Sequence, residues 1–218
     1  QGGDIFITVG SSNNAAGGDI LMSAGTTLSN NFEGGNVEIY SGKSAESGSK
    51  SGDIFLATAA ASSVGDPAPS GGGSGAIVIS TGSSSSDRSG DLNLITGTGA
   101  STGSSGDINI SVGTSTRLHG GSIAITAGDT TQPVVSPAVL ATGGHVTITT
   151  GSSAQYSSGD LVMQTPNSGV AGTSGLVILS TGDSTSGHTG DVFIGSGDSN
   201  LGRGGNVHIG VGQALGSA

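Results

Sequence analysis

Aliphatic residues recur at alternate positions along this chain in short bursts, and a glycine opens each burst. Aligned on that glycine, the copies begin at 3, 18, 35, 52, 75, 90, 106, 121, 144, 159, 175, 190 and 205, thirteen in all. The second residue after it is Ile, Val or Leu in every copy, from Ile5 and Ile20 to Val207, and the fourth is Ile, Leu or Met, from Ile7 and Met22 to Ile209. A period of two through β-branched-rich residues predicts a strand in each copy. The sixth position carries small or medium residues such as Val9, Ala24, Ser41 and Thr58, and the seventh is glycine in eleven of the thirteen copies. The strand is expected to end there, because glycine reaches positive φ without a Cβ penalty and so suits a corner. A second corner falls at the Gly-Gly, Ser-Gly or Thr-Gly pair that opens the next copy.

Successive anchor glycines lie 15 to 23 residues apart, which leaves no room for a helix between strands. One strand with two inward aliphatics cannot bury itself, but copies stacked about 4.8 Å apart would pair their backbones and align their aliphatics in columns. The pattern therefore predicts an all-β fold: a parallel β-solenoid, or β-helix, forming a single domain over residues 1–218. Thirteen such coils would make a rod of roughly 60 Å. The motif starts at Gly2-Gly3, and the last strand, Asn206 to Val211, is followed by no atypical capping segment. Uncapped solenoid ends imply a segment of a longer solenoid, or subunits stacked head to tail into an open filament.

Two connections are longer, about residues 62–73 and 131–142, and they hold four of the five prolines. Proline blocks strand pairing, so both read as loops. Their parent glycines, Gly52 and Gly121, are four copies apart, which would put both loops on one edge of the rod. The run Val134, Val135, Ala138, Val139 and Leu140 gives the second loop an apolar surface for a neighbour or for its own rod.

The third position after the anchor glycine should point outward, yet it holds Phe6, Leu21, Phe55, Val78, Val162, Ile178 and Phe193. Contiguous apolar patches mark interaction surfaces, so this column is the candidate face for lateral self-association. Polar residues such as Glu38, Asn93, Asn109, Thr147 and His208 interrupt it. The first position forms a second column: Asp4, Asp19, Asn36, Asp53, Asp91, Asp107, Asp160, Asp191 and Asn206. Short Asx side chains cap turns through nearby backbone N–H groups, and this ladder is assigned that structural role. Stacked carboxylates would also repel one another, and calcium is a cation suited to bridging them. In that respect "GGDIFITVG" resembles the calcium-binding β-rolls of repeats-in-toxin proteins, with signature G-G-x-G-x-D-x-U-x. It lacks the second glycine of that signature and places Asp directly after the pair, so the family's calcium sites are not carried over and no cofactor is assigned.

Net charge is −10, with five basic residues: Lys43, Lys50, Arg88, Arg117 and Arg203. Nucleic acid needs a basic face, which excludes it as a partner. No apolar run approaches the roughly 20 residues of a spanning helix, so membrane insertion is not expected. The absence of cysteine excludes disulfides and thiolate metal sites. Chemistry is sparse: Gly42-Lys43-Ser44 looks like the end of a phosphate loop, but Val37 stands where that loop requires glycine. Gly182-Asp183-Ser184, with His188 nearby, and Gly197-Asp198-Ser199 fall at the ordinary corner of the repeat. His119, His145, His188 and His208 occupy different repeat positions and form no ligand cluster, so no catalytic or metal residue is assigned.

These Gly/Ser/Asp-rich copies resemble the parallel β-solenoid repeats of extracellular fibres and large surface adhesins, along the whole chain. The resemblance implies a stalk, sheath or filament subunit at the cell surface or outside the cell, without enzymatic activity. Its partners would be further copies of itself, end to end and through the apolar column. A second expectation is an ice- or carbohydrate-binding solenoid. The fifth position mixes Thr8, Tyr40, Ala57, Ile95 and Gln164 with Gly195 and Gly210, which is no regular Thr grid. Connections such as Ser11-Ser12, Thr26-Thr27, Ser83-Ser84 and Ser152-Ser153 are more uniform surfaces for ice or glycans, and Asn109-Ile110-Ser111 is a lone N-glycosylation sequon. A third is a polysaccharide-degrading β-helix, for which no dense groove of carboxylates and basic residues is evident.

Overall fold

A computed structural model describes residues 2–29, 31–45, 48–61, 73–85, 87–100, 103–116, 119–131 and 141–214. Among them there is no helix and no paired strand, and no side chain is buried. The expected β-solenoid is therefore not formed, and the β-helix description falls with it: this is a low-complexity, disordered-like chain. Its accessible surface is 22027 Å². A folded globular protein of its 20.6 kDa mass exposes about 9000 Å² and the unfolded chain about 30000 Å², so most of the surface that folding removes from water stays wet.

The physical reason is the shortage of apolar material in each copy. Two inward aliphatics contribute on the order of 3–6 kcal/mol if fully buried. Ordering some fifteen residues, many of them glycine and serine, costs more than that in backbone entropy. Only a neighbouring copy in backbone register could offset the difference, and the register here is a different one. Stacked coils would set each anchor glycine beside the anchor glycine of the copy before. Instead it lies beside the sixth residue of that copy: Gly18 by Val9, Gly35 by Ala24, Gly90 by Thr81, Gly144 by Ala127 and Gly205 by Ser196. Six residues of extended chain span about 20 Å, so a glycine at the end of one stretch cannot also stack over its start.

Each connection is thus a loop closed at its neck, with the next extended stretch beginning where the last one stopped. Backbone hydrogen bonds close four necks, from the N–H of Gly35 to the carbonyl of Gly25 (2.9 Å), Gly52 to Gly42 (2.9 Å), Gly144 to Gly128 (2.8 Å) and Gly159 to Gly151 (2.9 Å). At another, the Thr165 hydroxyl donates to the Gly175 carbonyl (3.2 Å). Bends fall inside the connections, among them residues 13–15, 85 and 87, 154–156, 185–187 and 200–202.

Glycine serves close approach here more than positive φ. Among the described glycines only Gly48 (φ 85°) and Gly172 (φ 148°) lie in the left-handed region, and both are inside connections. The seventh-position corner glycines do not, contrary to the reason expected for them. Two anchor glycines are tightly constrained instead, because a β-carbon at Gly18 would lie 2.7 Å from Val9 Cγ1, and at Gly121 2.6 Å from Val112 Cγ1.

The chain divides into two units, Gln1–Asn109 and Ile110–Ala218, each built of the same alternation of extended stretch and closed connection. The apolar run from Val134 to Leu140 and most of both long connections lie outside the described residues.

Candidate functional site

Exposure along each stretch varies with repeat position, without the clean division into two sides that a strand would give. From Ile20 to Val207 the second-position aliphatics are 48–60% exposed, whereas the seven apolar third-position residues are 73–92% exposed. The most covered side chains are small ones at the sixth position, such as Ala24, Ser41, Thr96, Ala127, Thr150 and Thr165, each at a neck. The fourth-position aliphatics, at 60–88%, are nearly as exposed as the third-position ones, so cover is confined to the neck and the second position, and the side that carries the third position is open. Phe6, Leu21, Phe55, Val78, Val162, Ile178 and Phe193 all stand on that open side. It also carries Tyr40 and Glu38, whose side chains meet when the phenol donates to Glu38 Oε2 (3.1 Å). At Phe193 the ring lies along its own stretch, where it passes beside Gly195.

The first-position residues Asp4, Asp19, Asn36, Asp53, Asp91, Asp107, Asp160, Asp191 and Asn206 are all exposed. Asp91 pairs with the Arg88 guanidinium three residues earlier. With side chains 80% and 58% exposed, that pair is screened by water and contributes little.

The connections are capped by serine hydroxyls in a fixed register, two residues after the corner glycine. Ser12 Oγ accepts from the Ala15 N–H (3.1 Å), Ser84 from Asp87 (3.1 Å), Ser153 from Tyr156 (2.9 Å) and Ser199 from Gly202 (2.9 Å). A hydroxyl bound to the backbone three residues on is a local turn cap. Ser199 belongs to one of the two Gly-Asp-Ser triplets, so in that triplet the serine holds a corner, as the repeat pattern implied. The signal for this cap is the Gly-x-Ser that follows the strand-like burst in seven of the thirteen copies.

The described residues enclose no pocket, and they group no three His, Asp or Glu side chains in a metal-holding arrangement. No helix among them is long and apolar enough to cross a membrane. No protein-family model, curated protein or solved structure matches this chain.

Proposed function

We propose that this chain is a structural, non-catalytic segment of a fibre at the cell surface or outside the cell, and that it associates laterally with further copies of itself. The observation that carries this reading is the open side of each stretch, where large apolar residues recur at one repeat position and receive no cover from within the chain. Isolated surface hydrophobes need no explanation, but large apolar residues at one position in seven copies offer a repeated surface for a partner to cover. A second copy offers the same column at the same spacing. The backbone adds to this: stretches that form no strand within the chain leave N–H and C=O groups that another chain can pair. End-to-end stacking of coils is given up together with the solenoid. The Gly/Ser/Asp-rich composition, similar to that of extracellular fibre repeats, supports the location.

Negative-stain electron microscopy of the purified chain over a range of concentrations tests the reading. Filaments or laterally bundled assemblies that grow with concentration are expected. Single particles at every concentration would contradict it, and thermal hysteresis or glycan binding by those particles would transfer the connections' serines and threonines to a surface-binding role.

A further inference from the structure

Assembly of this kind needs a place to start, and the copies are not equal in what they offer. In seven copies an aspartate stands first after the anchor glycine, so identical segments of two chains laid in register would place carboxylate on carboxylate about 4.8 Å apart. Such like-charge neighbours oppose pairing, as charged gatekeepers do beside hydrophobic strands. Two further copies carry Asn there, and four carry Ala76, Ser122, His145 and Leu176. Behind Ser122 and His145 the third position is small or polar, Ala124 and Thr147. Behind Ala76 and Leu176 it is Val78 and Ile178, so residues 76–79 and 176–179 are apolar at four consecutive positions.

The two stretches are near duplicates: "GAIVISTG" at 75–82 and "GLVILSTG" at 175–182, free of charge and proline, one in each unit. Both are open, with Val78 82% and Ile178 74% exposed. High β-propensity, no net charge and no proline over six or seven residues is the signature of a segment that pairs with its own copy in register.

We propose that residues 75–82 and 175–182 are the nucleating interfaces, each pairing with the same segment of a second copy of this chain. This rests on the lateral self-association proposed above. The identical segment is favoured as occupant because in-register pairing is the arrangement that aspartate forbids in seven copies and that these two permit.

The test restores the missing aspartate. An Ala76→Asp, Leu176→Asp double variant gives both copies a residue that seven others already carry, so the chain's local structure tolerates it. A control, Ser12→Asp with Ser153→Asp, adds the same charge in the connections. By light scattering, the first pair is expected to raise the concentration for assembly at least about tenfold, and the control less than about twofold. Equal effects of the two pairs, or no effect of the first, would overturn the assignment while leaving self-association standing. Failure of the unaltered chain to assemble would overturn both. Position is read separately by cross-linking, which the absence of native cysteine makes clean. In-register pairing brings identical Cα atoms within disulfide reach. Val78→Cys and Ile178→Cys are each expected to form covalent dimers in the assembled state under mild oxidation, and Val162→Cys, two residues after Asp160, at least about tenfold less. Cross-linking equally efficient at all three positions would spread the interface over every copy and contradict the proposal.

Discussion

Replacing Phe6, Phe55 and Phe193 together by serine is expected to raise the concentration needed for assembly about a hundredfold. Three of the chain's four phenylalanines stand in the third-position column, each more than four-fifths exposed. Full burial of such a side chain stabilises by about 1.5–3 kcal/mol, and a lateral contact covering part of the ring contributes about 1 kcal/mol. Three rings make about 3 kcal/mol per chain, or about two powers of ten in an association constant. Because these rings make no intrachain core, the isolated variant chain should be indistinguishable from the unaltered one in hydrodynamic radius. Sedimentation velocity over a concentration series reads both effects, and an unchanged onset of assembly in the triple variant would remove the column from the interface.

The second large effect concerns the necks. Gly121→Ala places a β-carbon where Val112 Cγ1 now lies, at 2.6 Å, and with no packed surroundings to hold it the neck should open. Gly90→Ala is the matched control, since its added carbon would find Thr81 at an ordinary 4.0 Å. In methyl-resolved nuclear magnetic resonance of the dilute chain, the Val112 signals are expected to move to unfolded-chain positions in Gly121→Ala. Those of Thr81 should stay in place in Gly90→Ala. Unmoved Val112 signals would mean that the neck contact is not a structural element of the chain.

The two outcomes separate what was legible in the residues from what was not. A period of two in Ile5 and Ile7, repeated to Val207 and Ile209, identifies residues that favour an extended backbone, but these stretches form no strand. It carries no information about what an extended stretch pairs with. The expectation of coil stacked on coil assumed that the anchor glycines align with one another. The close approach of Gly18 to Val9 and Gly121 to Val112 shows a register shifted by the length of a stretch. That shift brings anchor glycines beside small or medium sixth-position residues, Val9 and Val112 as well as Ala24 and Ala127. The apolar outer column was legible because Phe6, Phe55 and Phe193 stand at one repeat position, and they are exposed there. The turn chemistry differed from the expectation: the bends lie inside the connections and not at the seventh-position glycines, and serine hydroxyls such as those of Ser12 and Ser153 cap them.

With no buried side chain among its described residues, the chain has little to hold regular structure when it is alone, and its order is expected to come with association. Far-ultraviolet circular dichroism across the assembly concentration tests that claim most directly. Below it, the spectrum should lack a β-sheet band; above it, the band should appear together with light scattering and vanish on dilution. A full β-sheet band in the dilute, monomeric chain, independent of concentration, would contradict the account and return the repeats to a fold that each chain completes by itself.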